Sequence, residues 1–131
     1  QLSEGTLRLM ALVWALLTPG GPLLVEEPER ALHPAIAAQL APMIWRATRR
    51  SGRQCLIATR SEAVLSDEGI GLDEVVVLVP GQAGTVAHCP GEDPAIRAMR
   101  AEGLPLAEAV LPLGQPPQAG RLPLSAADWG G

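Results

Sequence analysis

Glu26 and Glu27 stand side by side at the end of a short apolar run, Leu23-Leu24-Val25, and Pro28 turns the chain directly after them. A buried strand that delivers paired acids at its C-terminal edge can hold Mg²⁺ and a water beside a phosphate, as in many nucleotide hydrolases. Two further polar groups flank that pair. Upstream, Leu2-Ser3-Glu4-Gly5-Thr6 offers a hydroxyl, a glycine and free backbone N–H groups at a helix N-terminus, which is a natural place for an anion. Downstream, Ala58-Thr59-Arg60-Ser61 follows the next apolar run and places polar groups on the same sheet edge. An absence limits this set. All ten basic residues are Arg, so the chain has no glycine-rich loop ending in Gly-Lys-Ser/Thr with which to cradle ATP phosphates.

The elements that must position these groups can be read from spacing. Residues 2–17 have the period of a helix with Ser3 as N-cap. Leu7, Met10, Val13, Trp14 and Leu17 form one stripe and Leu9, Leu12 and Leu16 a second, so burial nearly all round is expected. Residues 23–26 form a strand apolar on both faces. A second helix should run from Pro34 to Arg50, with Ile36, Leu40, Met43 and Ala47 facing inward. Pro42 should kink it, at a cost of about 3 kcal/mol unless packing compensates. Residues 54–58 form a second buried strand, 61–65 a short helix and 74–79 a third strand, with a hairpin turn at 80–84 leading into 85–89. Helices at 93–101 and 106–111 follow, and the Pro/Gly-rich stretch Gly114–Gly131 reads as loosely ordered. This order describes the second half of an α/β sandwich.

Composition sets the outer bounds. At 131 residues the chain makes one small domain, with a core of Leu, Val, Ile and Ala because it has three Trp and no Phe or Tyr. Trp14 and Trp45 read as core residues, whereas Trp129 has no assigned place. Arg without Lys, alongside abundant Ala, Gly and Pro, reads as codon bias. A net charge of −4 gives no support for a broad nucleic-acid-binding face. Arg46, Arg49, Arg50 and Arg53 crowd one helix end and read as a solvated complement to its dipole. Cys55 and Cys89 are far apart, Cys55 reading as a small buried hydrophobe, and His88 has no partners for a metal. Leu9–Leu17 is too short to cross a bilayer, which takes about 20 residues. No basic run with a cleavage site precedes it, so no signal peptide is expected, and the cytoplasm is the expected location.

Three segments in order also carry a family resemblance. Leu2-Ser3-Glu4-Gly5-Thr6-Leu7-Arg8 resembles the ABC signature motif in the form used by AAA-type ATPases related to RecF, SMC and OLD proteins. Residues 23–34 resemble their Walker B and D-loop segment, and Ile57-Ala58-Thr59-Arg60-Ser61 their switch segment, usually Thr-Thr-His-Ser. The resemblance covers residues 2–79 well, the hairpin moderately and the tail poorly. It implies a P-loop NTPase-like sandwich, the head of an ABC-type ATPase, present as its C-terminal half only. Residues 1–89 would form that lobe and residues 90–131 a C-terminal extension.

The resemblance also implies roles. Glu26 would help hold Mg²⁺ through water, Glu27 would orient or deprotonate the attacking water, and Thr59 would stand beside the nucleotide. Ser3 and Gly5 would bind the γ-phosphate of an ATP held on the opposite subunit of a head homodimer, with Leu32 and His33 in the D-loop crossing that interface. Glu29 reads either as part of that segment or as an acid opening the following helix. Arg60 departs from the usual His: it can neutralise phosphate but cannot exchange a proton near neutral pH. The expected function is ATP binding and hydrolysis with Mg²⁺, requiring a P-loop lobe from this or another chain, without a membrane and with DNA contacted only indirectly. Because the chain opens on Gln1 directly before a motif, its natural N-terminal part is expected to have been left out. The competing expectation is a degenerate, non-hydrolysing interaction module, motivated by Arg60 and the missing Lys; a plain α/β domain whose acids are surface residues is the third. Relatives act in DNA repair, chromosome maintenance and phage or plasmid defence, and what this ATPase would drive lies outside these residues.

Overall fold

A computed structural model describes residues 2–116; the expected loosely ordered stretch from residue 117 onward, with Trp129, lies outside the described residues. The first helix, α1 (Glu4–Leu17), starts where the sequence places it. Ser3 is its N-cap, extended in backbone, and its hydroxyl accepts from the Thr6 N–H. Strand β1 (Leu23–Glu26) follows. Helices α2 (Pro34–Ala37) and α3 (Leu40–Ser51) then lead to strand β2 (Cys55–Ala58) and helix α4 (Glu62–Leu65). β1 and β2 pair in parallel, Leu23 opposite Cys55 and Glu26 opposite Ala58. A 3₁₀ turn at Leu72–Glu74 precedes strand β3 (Val77–Gly81), which pairs antiparallel with β4 (Gly84–His88). Helices α5 (Pro94–Ala101) and α6 (Leu106–Val110) complete the order.

Two cores hold these elements. In the first, Leu12 and Leu16 of α1, Ala37, Leu40 and Ile44 of α2 and α3, and Val64 of α4 pack with the inward residues of both strands, Leu23, Val25, Cys55 and Ile57. In the second, Val77 packs with Ile96, Leu106, Ala109 and Val110. α4 joins them, because Val64 belongs to the first core and the next residue, Leu65, lies against the second. Among the described residues β1–β2 and β3–β4 are separate two-stranded sheets. Residues 94–113 share the second core with the hairpin.

Several expectations are corrected. α1 is not buried all round: Leu9, Leu12 and Leu16 face the core, while Leu7, Met10, Trp14 and Leu17 are exposed, Trp14 by 75%. The reason is that the ribbon and α3 cover only one side of the helix. The strands are likewise not covered on both faces, since Leu24 and Leu56, paired across the ribbon, are 75% and 50% exposed. Ile36 and Trp45 face solvent, and Trp45 stacks under the Arg49 guanidinium 5.0 Å from its ring centroid. Pro42 does not kink a long helix. The chain breaks earlier, at residues 38–39, and Pro42 falls in the first turn of α3, where its missing N–H costs little. The third strand starts at Val77 instead of residue 74, because Leu72–Glu74 closes a 3₁₀ turn in which the Glu74 carboxylate accepts from the Gly71 N–H.

Arg53 is more than a solvated charge. Gly52, left-handed at φ 66°, ends α3, and Arg53 turns back across the sheet. Its guanidinium donates to the carbonyls of Ala15, Thr18 (3.1 Å) and Gly21, tying the C-terminal end of α1 to the start of β2. A cation at unsatisfied helix carbonyls complements their dipole, and its forked donors hold several at once. Replacing Arg53 with Ala should lower the stability of the fold by about 1–2 kcal/mol, with Arg53→Lys recovering part. A denaturant midpoint unmoved by Arg53→Ala would contradict this. Cys55 is half-buried, and burial pushes its thiol up, a shift that the nearby Arg53 charge partly opposes. It acts as a packed apolar group.

Candidate functional site

The site lies at the C-terminal end of the β1–β2 ribbon. Because the strands run parallel and in register, Glu26 and Ala58 are level, and the next residues leave the sheet together. The Glu27 N–H donates to the Ala58 carbonyl at 2.8 Å, one step beyond the last paired residue. Glu27 then takes φ 43°, a left-handed value uncommon for a residue with a Cβ, and Ala31 does the same at φ 64°. These two residues bracket a tight turn, with Pro28 buried inside it. Left-handed residues other than Gly cost roughly 1 kcal/mol or more and are found where the surroundings over-determine them. The acid pair is thereby split. Glu26 is exposed on the bare face of the ribbon, and Glu27 is half-buried and turned toward the end of β2.

There Arg60 meets it. The Arg60 guanidinium donates to Glu27 Oε1 at 3.3 Å, with the Arg60 side chain 89% exposed. Beside this pair, the Thr59 hydroxyl donates to Glu29 Oε1 at 2.7 Å and accepts from the Ser61 N–H at 3.0 Å. The hydroxyl of Thr59 therefore serves the carboxylate instead of standing free at the sheet edge. The other oxygen of Glu29, Oε2, is buried with no hydrogen-bond partner among the described residues. Ser61 N-caps α4 by accepting from the Val64 N–H, so the helix starts one residue later than expected.

The N-terminus of α1 docks on the turn after Glu27. Gly5 is buried there, and a Cβ on it would stand 2.2 Å from the Ala31 carbonyl oxygen and 3.1 Å from Leu32 Cδ2. The segments read as signature and D-loop thus touch within one chain. Ser3 is exposed, and among the described residues its Oγ bonds within its own helix turn, to the Thr6 N–H and hydroxyl. His33 is exposed too, N-capping α2 by accepting from the Ala35 N–H at Nδ1. Leu32 is the exception among the expected interface residues, since it packs against the first core.

Glu27, Thr59 and Arg60 are brought together, Glu26 stands beside them on the outer face, and Gly5 lies behind the turn. Sequence reasoning missed the bond between Glu29 and Thr59. The reading of Glu29 as an acid opening a helix fails, because α2 starts at Pro34 with His33 as its cap. The available signal was that distance from the helix: an acid four residues short of the cap is too far away to serve the helix N-terminus. Among the described residues no group of three or more His, Cys, Asp or Glu could hold a metal ion unaided, His88 and Cys89 included, and no helix is long and apolar enough to cross a membrane.

Comparison with known families finds a match at residues 1–66, half of the chain, to the family described as "AAA domain, putative AbiEii toxin, Type IV TA system". The matched span contains Ser3, Gly5, both acids of the pair, Glu29, His33, Thr59 and Arg60. No curated protein and no solved structure matches the chain.

Proposed function

The chain belongs to this AAA-domain family, and we propose that it is the part of an ABC-type ATPase head, of the RecF/SMC/OLD-like branch, that carries the signature, Walker B and switch segments. Membership of the family gives an ATPase-like function and nucleotide binding in general terms. The finer reading is carried by one observation, the level placement of Glu26–Glu27 and Thr59–Ser61 at the same end of two parallel strands. In it, Glu27 orients the attacking water and takes up its proton, and Arg60 offsets charge on the γ-phosphate. Ser3 and the free N–H groups opening α1 would meet a phosphate held by a second head, across an interface lined by His33. The architecture belonging to this reading is the C-terminal half of a P-loop NTPase-like sandwich.

Mg²⁺ fits the donor set in a limited way. It keeps most of its waters and takes one or two carboxylates together with substrate phosphates, so an exposed Glu26 is a sufficient contribution from this chain. The ion would offset phosphate charge. The remaining ligands would come from the nucleotide and a P-loop lobe.

The Arg60–Glu27 pair bears on turnover. An exposed ion pair of this kind contributes about 0–1 kcal/mol, so a phosphate entering the site can draw Arg60 away and leave Glu27 free for water. The same pair favours a second reading, in which Arg60 keeps the acid occupied and the chain is a non-hydrolysing interaction module. The two are separated by measuring ATP turnover with this chain alone and again with a P-loop lobe joined or added. The first reading expects none and then turnover. Nucleotide-promoted association without hydrolysis, under the second condition, would establish the second reading.

A further inference from the structure

Glu29 has no part in the mechanism above, yet the fold spends energy on it. One of its oxygens is buried without a partner among the described residues, a placement that carries a desolvation penalty. Its other oxygen receives the Thr59 hydroxyl at 2.7 Å, the shorter of the two side-chain bonds joining the β1 and β2 ends. Thr59 in turn accepts from the Ser61 N–H, so a continuous hydrogen-bonded chain runs from the first residue before α4 to Glu29. Arg60 lies between those two anchored residues. Its side chain is almost wholly exposed, and among the described residues its partner is Glu27.

We propose that Glu29 is a positioning residue: through Thr59 it fixes the corner between β2 and α4 from which Arg60 reaches Glu27 and the phosphate. The inference rests on the ATPase reading of the same site. A long, solvated arginine has little to hold it, and a weak surface pair cannot set its direction. Its backbone can be set, and the Glu29–Thr59–Ser61 chain clamps the residues on both sides. Without that clamp Glu27 and Arg60 would still be present, but their separation would drift, and an error of about 1 Å in a catalytic group can cost about 100-fold in rate.

The test uses the complete ATPase, with its P-loop lobe. Thr59→Val keeps the shape and removes the hydroxyl, and Thr59→Ser keeps the hydroxyl. Thr59→Val should lower kcat by about tenfold or more while KM for ATP changes by less than about threefold, and Thr59→Ser should stay near the parent. The deciding measurement repeats Thr59→Val in an Arg60→Ala background. There it should add no further loss, because the group it positions is gone. An equal further loss would mean that Thr59 only supports the fold and would overturn the proposal, as would undiminished turnover in Thr59→Val itself. If Thr59→Val does not fold, Glu29→Ala breaks the same bond from the other side and must show the same dependence on Arg60. A parent indifferent to Glu27→Gln would remove the ATPase reading, whereas one that needs Glu27 but not Thr59 removes only the clamp.

Discussion

Glu27→Gln in the complete head should reduce ATP turnover by about 100- to 1,000-fold while leaving nucleotide binding intact and trapping a nucleotide-bound dimer. Glutamine has the same size and can still hydrogen-bond a water, but it carries no charge to orient that water and cannot take its proton. The fold should barely register the change. The ion pair to Arg60 is exposed and contributes at most about 1 kcal/mol, and the left-handed backbone at residue 27 is no easier or harder for Gln than for Glu. The prediction therefore separates chemistry from stability, and two assays read it: hydrolysis rate, and molecular mass in solution with ATP present. Unchanged hydrolysis would take Glu27 out of the mechanism.

Gly5→Ala should destabilise the protein by about 2 kcal/mol, and the sign is the informative part. Local reasoning predicts the reverse, because alanine is favoured over glycine in a helix by about 1 kcal/mol. What opposes it is the Ala31 carbonyl oxygen, 2.2 Å from where the new methyl would sit, with Leu32 closing the other side. No side-chain rotation can relieve a clash with backbone, so α1 and the turn must separate, at the 1–3 kcal/mol typical of an overfilled site. Activity should fall with stability, since the same turn carries Glu27 and Glu29. A midpoint that rises in Gly5→Ala would mean that the docking of α1 on the turn does not persist in solution.

Much of the local structure was legible because its signals are local. Ser3 caps α1 as expected, the helices after Ser61 and Asp93 start within one residue of their expected places, and β1 spans the four residues expected of it. The acid pair and the Thr59–Ser61 segment could be placed at one end of the sheet because consecutive parallel strands share an orientation. What failed to show were facts settled between distant residues. α1 carries two leucine-rich stripes of similar hydrophobicity, and periodicity alone cannot say which one the ribbon and α3 will cover. Pro42 looks the same in sequence whether it bends one helix or sits in the first turn of another. Thr59 is 30 positions from Glu29, and Arg53 is 32 from Gly21. Pairs so separated leave no mark in either segment alone.

The bare face of the β1–β2 ribbon limits how much of this chain can persist on its own. Leu24 and Leu56 lie open there, neither strand has a second strand beside it among the described residues, and the outer side of α1 adds Met10, Trp14 and Leu17. Covering one such side chain is worth about 1.5–3 kcal/mol, and an open strand edge is a template for any other strand. Self-association is a second-order process, so losses to it grow faster than the amount made. With that face left open, the share of this chain lost to aggregate should rise with its concentration.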